Sequence, residues 1–157
     1  MTSRDHAGVF VPPPLIYGMP MLLAAVLHSR RPWPIADGNL ALLASAGLLV
    51  IATGIAIGVA SVYSFRKANT TILPAGRPTT AIVERGPYRF TRNPMYVAMG
   101  CAYLGLSLVL NNVWALVFFP FVLVVIDRAV IRREERYLAA KFGAPYREYC
   151  ERVRRWL

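Results

Sequence analysis

The segment that decides the fold class runs from Asn39 to Phe65 and reads NLALLASAGLLVIATGIAIGVASVYSF. It contains no charged residue and consists mainly of Leu, Ala, Val, Ile and Gly. Since about 20 predominantly apolar residues are enough for an α-helix to cross a bilayer, the segment predicts a membrane-spanning helix. Gly54 and Gly58 within it form a GxxxG pair, and Gly47 lies on a similar face. Small residues at this spacing predict that a second helix packs closely against this one.

Three further apolar segments extend the prediction to four spans: residues 9–27, 94–110 and 113–131. The first of these contains four prolines, which can delay the start of its helix and kink it. Asn93 followed by Pro94 suits the beginning of the third helix. The Asn-Asn pair at 111–112 indicates a tight turn, so we expect the last two spans to form a helical hairpin.

The charge distribution indicates how these spans are oriented. The chain has 157 residues, 56% of them hydrophobic, a net charge of +10 and a mean hydropathy of +0.43. With a cytoplasmic N-terminus, four spans leave sixteen Lys and Arg residues on the cytoplasmic side and only Arg30 and Arg31 opposite. The positive-inside rule then favours an all-α polytopic protein of the inner (cytoplasmic) membrane with both termini in the cytoplasm. The lipid bilayer accounts for the positive charge, so we expect no nucleic-acid partner.

We expect one integral membrane domain, with two spans in residues 1–66 and the unusual residues in 67–157. The loop before the third span ends in ERGPYRFTRNPMY at 84–96, where aromatic residues alternate with arginine. Such residues can anchor a helix end at the lipid headgroups. A loop of this length is also typical of a functional segment.

The tail contains RREERYLAAKFGAPY at 132–146. At helical spacing Glu135 falls on an otherwise apolar stripe with Ile131 and Leu138, where a carboxylate is costly unless it is paired or binds a ligand. We therefore expect a functional partner for Glu135. Glu134 lies on the neighbouring face, where a set of exposed Glu–Arg pairs is as good an interpretation as a functional role.

Gly143 is predicted to end this helix, and Ala144-Pro145 to begin another. On this last helix, residues 146, 149, 153 and 156 are aromatic or apolar, whereas the opposite face carries Arg147, Glu151, Arg154 and Arg155. The pattern predicts a cytoplasmic amphipathic helix that either lies on the leaflet or folds back over a site as a lid. The two histidines and two cysteines lack a recognisable metal-ligand spacing, so we expect no metal.

The order of these motifs resembles the isoprenylcysteine carboxyl methyltransferase and phospholipid methyltransferase superfamily of integral membrane enzymes. The resemblance covers about residues 69–157 and rests on GPYRFTRNPMY, then a helical hairpin, then the paired glutamates and FGAPY. It implies S-adenosylmethionine as methyl donor, S-adenosylhomocysteine as product, and a lipid-like or hydrophobic acceptor. Carried over residue by residue, it implies cofactor binding by Arg92, Asn93, Pro94, Tyr96, Gly100, Glu134 and Glu135.

The chemistry of the donor is compatible with these residues. Carboxylates accept hydrogen bonds from an ammonium group or ribose hydroxyls, which suits Glu134 or Glu135. An aromatic face attracts a sulfonium cation, which suits Tyr96 or Tyr88. We expect Arg92, Tyr96 and Glu135 to act most directly in catalysis. Many isoprenylcysteine enzymes have His where this chain has Asn93, so the motif is more similar to that of phospholipid methyltransferases.

Two other classes of protein stay open at this point. A membrane reductase of the sterol-reductase type has a similar C-terminal pattern and would use NADPH. A non-catalytic membrane protein is the third class. The sequence leaves open the methyl acceptor, which can be a prenylcysteine carboxylate, a phospholipid amine or a small hydrophobic metabolite or thiol, and also the oligomeric state.

Overall fold

The computed structural model describes residues 11–68 and 81–157, and within these ranges all regular secondary structure is helical. The helices are α1 Pro13–Arg30, α2 Leu40–Lys67, α3 Pro94–Val109, α4 Val113–Ile126, α5 Arg132–Phe142 and α6 Ala144–Arg152. A 3₁₀ turn, Gly86–Arg89, precedes α3, and a π-helical turn, Asp127–Ile131, joins α4 to α5. The all-α prediction is confirmed. The beginning of the first predicted span and the loop segment 69–80 lie outside the described residues.

Two helices in the described part of the chain are long and apolar enough to cross a membrane. They are α2, which contains nearly all of the segment first quoted, and the continuous helix Val113–Phe142. The apolar part of the second ends before α5, because six of the eleven residues of α5 are charged. The helix α3 is apolar but has 16 residues, and α1 has 18 residues with Pro20 inside it. The count of four spans therefore stays a prediction.

Helices α2 and α3 pack in close contact because glycines remove side chains from their interface. A Cβ atom added at Gly47 would lie 2.6 Å from the carbonyl oxygen of Gly105, and one added at Gly54 would lie 2.8 Å from that of Ala98. At Gly58 the nearest atom would be the Ala98 Cβ at 3.6 Å, an ordinary contact. The close packing predicted from the small residues is confirmed at Gly47 and Gly54, and the partner helix is α3 of the same chain.

The turn between α3 and α4 is fixed by two asparagine side chains. Asn111 has a φ of +48°, a left-handed conformation that asparagine tolerates. Its Oδ1 accepts hydrogen bonds from the backbone amides of Ile35 (2.8 Å) and Ala36 (3.0 Å). The Nδ2 of Asn112 donates to the carbonyl of Ala24. The predicted tight turn is confirmed, and these bonds hold it against α1 and the segment that follows α1.

The buried core lies among α1, α3, α4 and the π turn, and includes Ala115, Val122, Ile126, Val130 and Ile131. Two of its tyrosines connect the core to the beginning of α3. The hydroxyl of Tyr17 donates to the carbonyl of Tyr96 at 3.0 Å, and both side chains are buried. The first turn of α3 is thus held from within the core, while the other side of Tyr96 remains available to α5.

The glycine contacts give a test of this packing. We expect Gly105→Ala to destabilise the protein by about 1–3 kcal/mol, because its Cβ would lie 2.5 Å from the Gly47 carbonyl oxygen and 2.7 Å from Ile51 Cγ1. The matched control is Gly58→Ala, whose Cβ meets an ordinary contact. Thermal unfolding in detergent should show a lower midpoint for Gly105→Ala only. Equal midpoints for the two variants would contradict the close packing of α2 against α3.

Candidate functional site

The first turn of α3 and the first turn of α5 bring Tyr96 and Glu134 together. The Tyr96 hydroxyl lies 2.9 Å from both carboxylate oxygens of Glu134 and donates to them. Burial raises the pKa of Glu134 to about 7, the hydrogen bond from Tyr96 acts in the opposite direction, and the charge of Glu135 adds to the rise. This carboxyl group therefore changes its charge close to neutral pH.

Glu135 lies between two arginines from distant parts of the chain. The Nη2 of Arg92 is 3.1 Å from its Oε1, and the Nη2 of Arg155 is 2.6 Å from its Oε2. Arg155 also lies 3.3 Å from Asp127, which in turn accepts a 2.8 Å hydrogen bond from Arg132. Because the Glu135 side chain is only 16% exposed, these pairs are less screened than surface ion pairs.

The C-terminal residues cross the beginning of α3. The backbone amide of Arg92 donates to the Arg154 carbonyl at 2.9 Å. The Arg155 carbonyl accepts from Thr91 Oγ1 at 3.0 Å and from Asn93 Nδ2 at 2.9 Å. Asn93 does occupy the N-cap position of α3, but its side chain makes no capping hydrogen bond, and its Nδ2 bonds to the Arg155 carbonyl instead.

This arrangement corrects one expectation from the sequence. The last helix was expected to continue past Val153 with Arg155 on its charged face, but α6 ends at Arg152 and Val153 is extended, with φ −124° and ψ 132°. The carbonyls of Arg154 and Arg155 accept hydrogen bonds from residues 91–93, and these bonds hold the extended tail across the beginning of α3. Gly143, with φ +62°, separates α5 from α6, as predicted. Contact of α6 with a leaflet stays a prediction.

Tyr88 is placed at the site by the 3₁₀ turn Gly86–Arg89. Gly86 has φ +60°, and an added Cβ would lie 2.5 Å from the Ser64 hydroxyl, so this position requires glycine. The Tyr88 carbonyl accepts a 2.8 Å hydrogen bond from the Tyr149 hydroxyl. Burial, followed by the neighbouring Tyr149 and Glu134, raises the pKa of Tyr88. The phenol therefore stays neutral at physiological pH.

The structure brings together most of the residues predicted from the sequence. We call Arg92, Tyr96, Glu134, Glu135 and Arg155 the polar cluster. Asn93 and Pro94 are buried directly beside it, at the beginning of α3. Gly100 lies one turn further along α3, where an added Cβ would contact Phe119 of α4 at 3.6 Å. Gly100 therefore packs against α4 and is not part of the polar cluster.

Sequence reasoning missed Arg155 and Thr91. No local pattern identifies Arg155, because its position depends on the tail turning back across residues 91–93. The sequence favoured a functional partner for Glu135, whereas for Glu134 an exposed face was an equally good interpretation. In the structure the Glu135 partners are arginines of the chain itself, and Glu134 is the carboxylate whose burial raises its pKa.

The polar cluster has the chemistry to hold a zwitterionic ligand that carries a further cation. The Nε of Arg92 is buried and has no hydrogen-bond partner among the described residues. Buried donors are rarely left without an acceptor, so this atom can bind a ligand carboxylate. Glu134 and Glu135 can accept from ammonium or hydroxyl donors, and Tyr88 and Tyr96 provide aromatic faces. Across residues 11–68 and 81–157, His, Cys, Asp and Glu do not group in threes that could hold a metal ion.

The fold and the polar cluster define an all-α protein with long apolar helices and a polar site where those helices end. Residues 42–145, more than half of the chain, match the model of the phospholipid methyltransferase family. The chain belongs to this family, and therefore to the superfamily that also contains the isoprenylcysteine methyltransferases. The matched segment contains all of the polar cluster except Arg155.

Three relatives are similar to parts of the chain. An uncharacterized protein from Haemophilus influenzae is 41% identical over 63 residues, which are 40% of this chain and all of that protein. The protein-S-isoprenylcysteine O-methyltransferase of Saccharomyces cerevisiae is 39% identical over 72 residues, 46% of this chain and 30% of the yeast protein. The cobalt-zinc-cadmium resistance protein CzcN of Cupriavidus metallidurans is 32% identical over 79 residues, 50% of this chain and 36% of that protein. No solved structure matches the chain.

The ion pairs of Arg155 give the second prediction. We expect Arg155→Gln to lower the free energy of unfolding by about 1–2 kcal/mol, because Glu135 and Asp127 would each lose a partner in a partly buried site. The control is Arg152→Gln, which removes an exposed pair with Glu84 and should cost less than about 1 kcal/mol. Thermal unfolding of both variants measures the difference. A loss no larger than that of the control would show that the tail pairing contributes little to stability.

Proposed function

We propose that the chain is an integral membrane methyltransferase that uses S-adenosylmethionine to methylate a lipid-like or hydrophobic acceptor. The observation that carries this proposal is the polar cluster. In it, the RNPMY motif at residues 92–96 meets the paired glutamates, and both lie within the matched residues 42–145. The name of the yeast relative supports methyl transfer. We further propose that both termini and the site face the cytoplasm, where the basic residues of the loop before α3 and of the tail are concentrated.

The residues of the cluster suit distinct parts of the donor. When bound, S-adenosylmethionine supplies an electrophilic methyl group on a sulfonium centre. Arg92, whose Nε has no partner among the described residues, would pair with the donor's carboxylate. Glu135 would accept hydrogen bonds from ammonium or ribose hydroxyl groups, and the faces of Tyr88 and Tyr96 would attract the cation. Asn93 and Pro94 would fix the first turn of α3, and Gly100 would keep α3 close to α4.

Glu134 would act on the proton of the acceptor. An amine must lose its proton to be methylated, and a base works best when its pKa is near the operating pH. The Glu134 pKa of about 7 meets that condition, and the Tyr96 hydroxyl holds the carboxylate in place. A carboxylate acceptor, as in O-methylation of isoprenylcysteine, needs no base. Both acceptor types fit the proposal, and the buried setting of the carboxyl keeps bulk water away from the reaction.

The third prediction concerns binding of the donor. We expect Tyr96→Ala and Glu135→Ala to weaken S-adenosylmethionine binding by roughly 100-fold, because each removes a contact to a charged ligand group. Isothermal titration calorimetry on detergent-purified protein measures the affinity. Matched controls are Tyr63→Ala, an exposed tyrosine of α2 that is 64% accessible, and Glu148→Ala, an exposed glutamate of α6. Both controls should bind as the wild type does.

The same experiment contains the outcomes that would contradict the proposal. Unchanged affinity in the folded Tyr96→Ala or Glu135→Ala protein would remove that residue from the site. A parallel titration with NADPH should give no heat of binding. Binding of NADPH without binding of S-adenosylmethionine would favour a reductase, and binding of neither by folded protein would favour a non-catalytic role.

The fourth prediction is the pH dependence of that affinity. When ionised, Glu134 would also attract the cationic donor, next to Tyr96. A carboxyl with a raised pKa gains its charge only as the pH rises through that value, so donor binding should strengthen with pH. Between about pH 6 and about pH 8 the ratio of wild-type to Glu134→Gln affinity should rise roughly tenfold. Taking the ratio cancels protonation of the ligand itself. The control Glu148→Gln should keep the wild-type profile, and a constant ratio would exclude a charged Glu134 from binding.

A further inference from the structure

A basic groove lies between α5 and α6, beside the polar cluster. It has a volume of about 470 Å³, and five arginines line it: Arg128, Arg132, Arg136, Arg147 and Arg155. The carboxylate in its wall is that of Glu135, which is already paired with Arg92 and Arg155. The groove therefore carries a large excess of positive charge.

Three of these arginines have no carboxylate partner in the described part of the chain: Arg128, Arg136 and Arg147. All three side chains are exposed. The Nε of Arg136 donates to the Arg132 carbonyl at 3.2 Å. Like charges placed this close repel one another, and an anionic ligand between them would remove that repulsion. A guanidinium group donates two parallel hydrogen bonds to a phosphate, so phosphate is the anion that such a groove suits best.

The position of the groove along the helix points to a lipid as the source of the phosphate. Arg128 lies in the π turn that follows α4, the apolar half of a helix long enough to span the membrane. Phe121, Val124 and Val125 are exposed one to two turns before it. Large apolar side chains in this position contact lipid chains, and the first basic residues beyond them lie at the height of the lipid headgroups.

We propose that the groove between α5 and α6 binds the headgroup phosphate of an anionic phospholipid. Arg128 and Arg136 approach the phosphate from the helix that leaves the membrane, and Arg147 approaches it from α6. These three arginines lie outside the polar cluster, so the proposal goes beyond methyl transfer and stands without it. A lipid held here would keep α6 at the membrane boundary next to the proposed donor site.

The test is the affinity of the full-length, detergent-purified protein for soluble short-chain lipids at fixed ionic strength. Dihexanoyl phosphatidylglycerol, dihexanoyl phosphatidylcholine and inorganic phosphate are titrated separately by calorimetry. The groove variant combines Arg128→Gln, Arg136→Gln and Arg147→Gln. The control variant combines Arg66→Gln, Lys67→Gln and Arg85→Gln, which removes the same charge from exposed positions that do not line the groove.

We expect the wild type to bind phosphatidylglycerol at least roughly tenfold more tightly than phosphatidylcholine. The affinity of the groove variant for phosphatidylglycerol should be at least roughly tenfold lower than that of the wild type, and the affinity of the control variant less than about twofold lower. The single variant Arg147→Gln should show a smaller loss of affinity for phosphatidylglycerol, and it tests the proposal if the triple variant does not fold.

Three results would overturn the proposal. Equal losses in the groove and control variants would indicate attraction by the whole basic surface. Equal affinity for the two lipids would exclude recognition of an anionic lipid. Inorganic phosphate bound as tightly as phosphatidylglycerol would assign the groove to a soluble phosphate instead of a lipid.

Discussion

The arrangement of the site depends on the need to satisfy the charge of Glu135 where an apolar helix ends. A carboxylate that is largely removed from water is costly unless cations and hydrogen-bond donors surround it. Here Arg92 comes from the loop before α3 and Arg155 from the end of the chain, so one carboxylate joins three distant segments. Because Arg155 is held in this way, its carbonyl can accept from Thr91 and Asn93, and the tail stays across the beginning of α3.

The close packing of α2 against α3 serves the same site from the other side. The carbonyl oxygens of Gly47 and Gly105 lie where side chains would otherwise separate the two helices. With α3 held so near, the end of α2 lies beside the 3₁₀ turn, where Ser64 meets Gly86 and the ring of Phe65 packs edge-on against Tyr88. A membrane interior offers no hydrophobic driving force between helices, so small residues and close van der Waals contact must position such a site.

Features that depend on local sequence could be predicted, and features that depend on a distant segment could not. The apolar run of α2, the Asn-Asn turn and the helix end at Gly143 each have a local signal, and each is confirmed. Helical periodicity also indicated that Glu134 and Glu135 lie on adjacent faces. Periodicity does not identify the groups that contact these two side chains, so the contact between Tyr96 and Glu134 was not predicted. The path of the tail, and with it Arg155, depends on hydrogen bonds to residues more than sixty positions earlier.

The π turn at Asp127–Ile131 explains how one helix can serve two different surroundings. A π turn adds a residue to a helical turn, and one residue corresponds to about 100° of rotation in an α-helix. The exposed side chains of α4 contact lipid in a spanning helix, whereas beyond the turn α5 directs Glu134 to Tyr96 and Arg136 to the basic groove. Glu135 lies between these two residues in the chain. It belongs to the polar cluster and also lines the basic groove. A regular α-helix through residues 127–131 would rotate α5 relative to α4, and the carboxylates would no longer meet the beginning of α3. The irregular turn is therefore the local feature on which the position of both glutamates depends.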